Sequence, residues 1–540
     1  MSTLPEKKQA VAFEVTDPEA PLNQTDVYAV FGADPEVLAY AMAKYSRSSL
    51  SMKESLAEIS SQRAEQFLNT FYFQYGHRSI ADLAHIAFAI EKLSLLAAIS
   101  LVDEQRWDGQ ERSTRYQNFR KSGWYTPRFS GEKAGEHTAA YTAALEKLFH
   151  AYDGVSAGML EALKKSIPKP AEMDEAAYTR TLKARAFDVA RYLLPLATNT
   201  SLGQIVNART LETQISRLLS SDFAEIRGLG EKLKAAAAGP AWNVNHAEAE
   251  VLVKEICSSD STGGLCSSRA REVLLREVKT APTLVKYAVK NDYAIQTAPE
   301  LTQAAAALMN GTAIAPAPVV DLVDDAESLE VELATSLLYP NCHYSYRQLR
   351  EHVAALTEQQ RSEIIHLGAK NRGKHDDLLR AFSSGHGFGF DILMDIGGFR
   401  DMHRHRKCIQ LLQPYTDLHG YELPDAPGQP TLAESGLSEL YSAAMDAAYA
   451  SYHALRDSGA PEAAQSAQYL LPLGTRCRSL FKMDFAEALY IAELRSTVAG
   501  HYSYRRVAWE MFQAVKKRHP SLAQYFRISD VNEPVDLLKR

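Results

Sequence analysis

Two short clusters far apart in the chain hold the side chains best suited to chemistry. The later one, Arg404-His405-Arg406, follows Arg400-Asp401-Met402-His403, so that three arginines and two histidines fall within seven residues. Such crowding is unfavourable unless anions occupy the space, and the planar, permanently charged guanidinium is suited to phosphate. The earlier one is Glu111-Arg112-Ser113-Thr114-Arg115-Tyr116. If that segment is extended, Glu111, Ser113 and Arg115 point to one side and present an acceptor, a hydroxyl and a cation together. A polar ring carrying a phosphate calls for that mixture. A serine nucleophile would need an adjacent base. None is visible, so Ser113 is assigned to binding and no side chain is assigned as catalytic.

The chain repeats itself. Ala190-Arg191-Tyr192-Leu193-Leu194-Pro195-Leu196 recurs as Ala467-Gln468-Tyr469-Leu470-Leu471-Pro472-Leu473, an offset of 467 − 190 = 277. Gly76-His77 ahead of an apolar run is echoed by Gly373-Lys374-His375 ahead of Phe388-Gly389-Phe390-Asp391-Ile392. Each precedes its own cluster, and each cluster precedes its Tyr-Leu-Leu-Pro-Leu segment, which is expected to be a helix begun by Arg191 in the first copy.

Taken together, the clusters resemble the active-site signature of the flavin-dependent thymidylate synthases, in which Arg-His-Arg is followed, after five residues, by Glu-x-Ser-x-Arg-Tyr. Here the signature is split. The first copy reads Asp103-Glu104-Gln105 where Arg-His-Arg belongs, and the second reads Leu412-Gln413-Pro414-Tyr415-Thr416-Asp417 in place of the other half. The losses are complementary, as they are at Arg191 against Gln468, at Leu218 against Arg495, and at Asn207-Ala208-Arg209 against Asp484-Phe485-Ala486. The family builds each site across a subunit boundary, so the resemblance implies a fused duplicate whose halves share one site.

The resemblance further implies FAD as cofactor, NADPH and methylenetetrahydrofolate as co-substrates, and conversion of dUMP to dTMP. His77, Ser79, Glu111, Asn207, Arg209, Arg404, His405 and Arg406 would meet the flavin. Glu111, Arg112, Ser113, Thr114, Arg115, Arg191, Arg404 and Arg495 would meet the nucleotide. The family is tetrameric, so a homodimer with a pseudo-tetrameric core is expected. One departure stands out: Asp401 replaces a glutamine that contacts nucleotide in the family, and an unpaired carboxylate there would repel a phosphate. Two alternatives follow, the same flavin chemistry on another pyrimidine-type substrate, or a protein that binds nucleotide or flavin without turnover. The first copy is also longer than the second between Glu111 and Arg191.

The elements that must position these residues are mostly helical. Apolar residues at three- and four-residue spacing mark Asp34 to Tyr45, Ala57 to Phe73, Thr138 to Lys164 and Glu462 to Leu471. Strand-like alternation is confined to His85–Ile90 and Gly387–Ile392, at matching places in the two copies. The expected fold class is therefore helix-rich α+β, two tandem repeats, each a small antiparallel sheet packed by helices. The expected domains are 1–296, a linker at 297–320 whose prolines block a continuous helix, and 321–540. Ser258 to Ser268 reads as an exposed loop, and Asp324-Asp325-Ala326-Glu327 as a helix start.

A length of 540 residues fits two domains. A net charge of −7 argues against nucleic acid or an anionic membrane as partner. With a polar N-terminus and no apolar run of about 18 residues, the chain is expected to be cytoplasmic. Cys257, Cys266, Cys342, Cys408 and Cys477 fit neither a disulfide framework nor a zinc spacing and read as reduced thiols, and no metal site is expected. Cys408, two residues after Arg406, is the thiol that a neighbouring cation would acidify.

Overall fold

The computed structural model describes residues 30, 32–44, 51–58, 78–259, 264–323, 329–373, 379–382, 387–523, 526–533 and 536–538. After α1 (Pro35–Lys44) and α2 (Met52–Glu58), the first half runs β1 (His85–Ser94), α3 (Leu95–Leu101), β2 (Asp108–Glu111), α4 (Ala134–Ser166), α5 (Glu175–Ala190), β3 (Asn199–Asn207), α6 (Ala208–Leu219) and α7 (Ala224–Ala238). Three helices follow, α8 (His246–Ser259), α9 (Leu265–Leu274) and α10 (Asp292–Leu308). Then come β4 (Val320–Val323), α11 (Leu329–Leu338), α12 (Tyr346–Ala354) and α13 (Glu358–Ala369). The first series now recurs as β5 (Phe388–Asp395), α14 (Ile396–Met402), β6 (Ile409–Leu412), α15 (Ser438–Arg456), α16 (Ala463–Gln468), β7 (Arg476–Met483), α17 (Phe485–Ser496) and α18 (Tyr502–Arg518). No helix among the described residues is long and apolar enough to cross a membrane.

Both sheets are antiparallel, in the orders β1-β3-β2 and β4-β5-β7-β6. Asp108 faces Ile205 as Ile409 faces Lys482, and Ser94 faces Asn199 as Asp395 faces Arg476. The register thus makes Arg404-His405-Arg406 the counterpart of Asp103-Glu104-Gln105. In each half the first strand ends on a side chain that caps the next helix: Ser94 accepts from the Ala97 amide at 2.9 Å and Asp395 from the Gly398 amide at 2.6 Å. Satisfying an otherwise unpaired N-terminal donor lets strand pass directly into helix.

The two sheets differ in burial for a physical reason. The second lies between two cores, with Phe390, Ile392 and Phe481 in the main core and Ile409, Leu411 and Leu480 against the cluster built by α10 to α13. Its strands β5 and β7 are accordingly buried along nearly their whole length. The first sheet has one face on the core, so β3 alternates and leaves Ile205 exposed.

The halves join about the repeated Tyr-Leu-Leu-Pro-Leu segments. Leu196 N–H donates to Leu471 O and Ala197 N–H to Tyr469 O, while Leu473 N–H donates to Leu194 O and Gly474 N–H to Tyr192 O, all at 2.9 Å. Pro195 lies opposite Pro472. Four bonds related by exchange of the halves define a local two-fold axis, the geometry of a symmetric dimer interface within one chain. A single hydrophobic core runs across the join, with Tyr192, Leu193 and Leu145 from one half and Tyr441, Leu470 and Leu471 from the other.

Several expectations need correction. Arg191 does not begin a helix; α5 ends at Ala190 and Arg191–Leu193 is a single tight turn, because Pro195 forces the chain out of helix just beyond. Residues 297–320 are not a helix-free linker. α10 passes through Thr297 with Pro299 inside it and packs against α11 and α13, so it belongs with the second half. Val320, taken as the linker's end, opens β4. Of the loop read at Ser258 to Ser268, the ends are helical, α8 ending at Ser259 and α9 starting at Leu265 after Gly264 at φ 92°, while residues 260–263 lie outside the described residues. The helix start at 324–327 and most of the helix at 57–73 lie outside the described residues. The extra length of the first copy sits in its helices: α4 has 33 residues against 19 in α15, and α5 has 16 against 6 in α16.

A Cβ at Gly474 would stand 2.8 Å from the Tyr441 hydroxyl and 3.1 Å from the Tyr192 Cβ. Gly474→Ala is therefore expected to lower stability by about 1–3 kcal/mol by overpacking the join. Urea denaturation of the whole chain checks it; an unchanged midpoint would show that the join is not closely packed there.

Candidate functional site

The two clusters meet at the join. Glu111, the last residue of β2, forms an ion pair with Arg400 on α14, and both side chains are nearly buried. Arg191, in the turn after α5, is 1% exposed and donates from Nη1 to Asp401 at 3.2 Å. Arg115 pairs with Asp188 on α5 at 2.8 Å and donates from Nη1 to the Tyr504 hydroxyl of α18 at 2.9 Å. In the second half His405 Nε2 accepts from Arg495 Nε at 2.8 Å, while its Nδ1 lies 3.5 Å from Glu487. The Arg495 guanidinium lies over the Tyr504 ring and that of Arg406 over Trp107 of the first half. Arg404 is exposed.

The electrostatics follow from this crowding. Burial would raise the Asp401 carboxyl, but Arg191, Arg115, Arg404 and Arg400 around it hold it at about 2. The carboxylate expected to repel a phosphate is therefore paired, and it anchors the arginine cluster. Burial works against the charge of Arg115, yet Asp188 keeps its pKa above the ordinary value. Burial lowers Arg406 to about 10 and His403 to about 4, and pushes His405 down as well. Among the described residues, Nε and Nη2 of Arg191, Nε of Arg400, Nη2 of Arg406 and Nε2 of His403 are buried without a hydrogen-bond partner. Buried polar groups are normally satisfied, and the spare N–H groups of Arg191 and Arg400 around Asp401 fit an anionic group such as a phosphate. Arg406 and His403 face Asp103 instead, and the Nε2 of neutral His403 is an acceptor because its Nδ1 donates to Gln410.

The symmetry-related place is built differently. The counterparts of Arg400, Asp401, Glu111, Arg115, Asp188 and Arg191 are Ile99, Ser100, Leu412, Thr416, Gln465 and Gln468. Asp103 binds Arg380 at 2.6 Å and Glu104 binds Arg217 at 2.8 Å. The acids that replaced Arg-His-Arg thus take up the cations still present there.

The remaining expected site residues divide. Asn207 caps α6, its Oδ1 accepting from the Thr210 amide at 2.8 Å, which leaves only its amide nitrogen for a ligand. Arg209 reaches Asp82 at 3.1 Å on a half-exposed face. Ser79 lies in a short 3-10 helix, Arg78–Leu83, and His77 lies outside the described residues. The alternation expected of Glu111, Ser113 and Arg115 fails. The chain turns at Thr114 to Tyr116, Ser113 Oγ accepts from the Arg115 amide at 3.2 Å, and Thr114 is buried. Arg112 causes the turn: it donates to Gln117, Ser122 and the Asn118 carbonyl and lies over Phe119. Its guanidinium pins the loop through one bond from each nitrogen. Cys408 is corrected too, since burial outweighs Arg406 and drives its thiol up to about 12.

Sequence reading missed Asp188, Tyr504 and Trp107. Asp188 had a signal, a carboxylate three residues before Arg191 in an otherwise apolar stretch. The other two carry none, since any aromatic residue near a helix reads as core.

The arginine-rich cluster is thus assembled from both halves of the chain. The family described as thymidylate synthase complementing protein matches residues 29–238 and 329–521, and the chain belongs to it. Similar along nearly the full length is a "UPF0159 protein" of Chlamydia muridarum, 26% identical over 92% of this chain and 91% of that one. A flavin-dependent thymidylate synthase of Saccharolobus solfataricus is 34% identical over 18% of this chain and 36% of its own length. A solved flavin-dependent thymidylate synthase of Helicobacter pylori, complexed with FAD and dUMP, covers 38% of this chain and 89% of its own at 17% identity, with a TM-score of 0.25.

Burial lowers every histidine of one set, His343, His403, His405, His419 and His501, with His403 and His419 at about 4. The unfolded chain then binds more protons than the native one below pH 6.5, so this stability is complete above about 6.5 and is lost as pH falls towards 4. Denaturation midpoints measured across that range should decline, and His403→Gln should flatten the decline. An identical slope in the variant would show that His403 charges freely in the native protein.

Proposed function

We propose that the chain is a FAD-dependent enzyme that methylates a pyrimidine nucleotide, dUMP to dTMP, at the composite site. One observation carries the reading: Glu111–Arg400, Arg191–Asp401 and Arg115–Tyr504 bring the two halves of the signature together, with unpartnered arginine N–H groups beside them. In this reading Arg404 and Arg495 bind the nucleotide phosphate, joined by the spare N–H groups of Arg191. Arg115, fixed between Asp188 and Tyr504, holds the loop that presents Ser113 and Glu111 to the ring. His405, kept neutral by burial and oriented by Arg495 and Glu487, lies with Arg406, Asn207 and Arg209 along the flavin. When bound, the flavin supplies the hydride that completes the methyl group, with NADPH as its reductant and methylenetetrahydrofolate as carbon donor. The protein's part is to orient the ring and neutralise charge in a water-poor space.

A second reading, the same chemistry on another pyrimidine-type substrate, is favoured by Asp401, which already occupies Nη1 of Arg191. Titration with dUMP, UMP and uridine separates the two by which of them binds.

Absorbance of the purified, FAD-supplemented protein tests the enzyme reading: a yellow protein bleached by NADPH, with about one flavin per chain, is expected. Failure to take up FAD would leave only nucleotide binding. Arg404→Ala and Arg191→Ala should each cost about 2–5 kcal/mol of nucleotide binding, a loss of more than about tenfold, with the fold intact by circular dichroism. Gln468→Ala, at the symmetry-related place, should change nothing. Equal damage from Gln468→Ala would mean two working sites per chain.

A further inference from the structure

A cavity of about 290 Å³ lies in the second half, and no residue assigned to the composite site lines it. The end of β5, the segment after Tyr421, the first turns of α18 and the C-terminal residues Val531 and Asn532 enclose it. Those last two lie beyond residue 521, where the family match ends. The C-terminal segment is held in place by its own bonds. The Arg527 amide donates to Glu493 at 2.7 Å, the Ser529 amide to the Ser496 hydroxyl at 3.2 Å, and Arg185 of the first half to the Leu537 carbonyl at 3.1 Å. Small-molecule sites fall at about 300–1,000 Å³, so the space suits a compact ligand.

Arg505, on the wall of this cavity, is a cation without a counter-charge. It is 5% exposed, its Nε donates to the Ser496 carbonyl at 3.0 Å, and its Nη2 is buried without a hydrogen-bond partner. No carboxylate pairs with it: burial lowers its pKa, and Tyr504 is the only group that acts the other way. Arg115, Arg191 and Arg400 differ, since each has an acid of the chain. A buried guanidinium left alone is costly, so this one calls for an anion from outside. Three of the four carboxylates on the wall are already engaged. Asp395 accepts from the Ser503 hydroxyl and the Gly398 amide, Glu422 from Arg476 at 2.9 Å, and Asp425 from the Leu432 amide at 2.8 Å. The fourth, Glu510, is partly exposed.

The rest of the wall is apolar: Leu393, Met394, Val507 and Trp509, with the half-exposed Leu423. One arginine balances one negative charge, and a phosphate dianion would find too few donors and leave the apolar wall unused. A carboxylate with an apolar body meets both parts. We infer that this cavity binds a small organic carboxylate, its charged end on Arg505 and its body against Val507 and Trp509. The inference stands apart from the proposed chemistry, because the cavity and the arginine cluster around Asp401 share no binding residue.

Calorimetric titration of the full-length chain with phenylacetate and isovalerate tests it. At least one of the two should bind saturably, once per chain, and phenylacetamide, which lacks the charge, should bind about tenfold or more weakly. Inorganic phosphate should not displace the carboxylate. Arg505→Gln should weaken carboxylate binding by about tenfold or more with the fold intact by circular dichroism. Leu423→Trp, at a half-exposed wall position, keeps the charge but fills the space and should weaken it too, which decides the matter if Arg505→Gln does not fold. Arg191→Ala should leave carboxylate binding unchanged, so that this cavity and the composite site succeed or fail separately. Neither carboxylate binding to the wild type, phenylacetamide binding as tightly, displacement by phosphate, full binding in a folded Arg505→Gln or in Leu423→Trp, or loss of binding in Arg191→Ala would each overturn the inference.

Discussion

Everything else in this molecule hangs on the antiparallel meeting of Tyr192–Ala197 with Tyr469–Gly474. Four backbone hydrogen bonds around Pro195 and Pro472 fix the local two-fold axis, and that axis brings β2 of one half against α14 of the other. In a symmetric dimer of separate chains both copies of such an interface carry the same residues, so two sites must be equally good. Joining the copies removes that restriction. The second half can keep Arg404-His405-Arg406 and the first can keep Glu111 to Tyr116, because their association is intramolecular and no longer depends on concentration.

The ion pairs show how the surviving site is held. Arg191, Arg115 and Arg400 each bind a carboxylate of the chain, and Glu111–Arg400 and Arg191–Asp401 cross between the halves. A buried arginine without such a partner would be costly, so the acids keep the cluster assembled and its fork-like donors oriented before any ligand arrives. Because each arginine has several N–H groups and the acids take only some, the cluster retains capacity for an anion. Asp401 illustrates how a residue's meaning changes with its neighbour: alone it opposes a phosphate, while beside Arg191 it holds a buried arginine in place.

Much of this was legible in the sequence, and what was not has identifiable physical causes. The split signature, the repeated Tyr-Leu-Leu-Pro-Leu segment and the strands at His85 and Phe388 depend on residue type and order, which sequence carries directly. The surroundings of Arg112, Asn207 and Cys408 were not legible because they depend on which competing interaction wins. The Arg112 guanidinium finds Gln117, Ser122 and a carbonyl within its own loop. The Asn207 side chain caps a helix, a task for which asparagine is as well suited as it is for ligands. At Cys408 burial, invisible in sequence, outweighs the neighbouring arginine. Prolines near 299–318 suggested a break, yet Pro299 sits inside α10 because packing against α11 and α13 offsets the lost hydrogen bond.

The symmetry-related place was not simply emptied. Neutral residues in place of Asp103 and Glu104 would leave Arg380 and Arg217 without these partners. Asp103 and Glu104 supply the anions, Asp103 to Arg380 and Glu104 to Arg217, and Arg380 brings the 3-10 turn Arg380–Phe382 of the second half onto the end of α3 in the first. The loop at Asp103 thereby ties the halves together. The Asp103–Arg380 pair thus adds cohesion between the halves beside the join at Pro195 and Pro472.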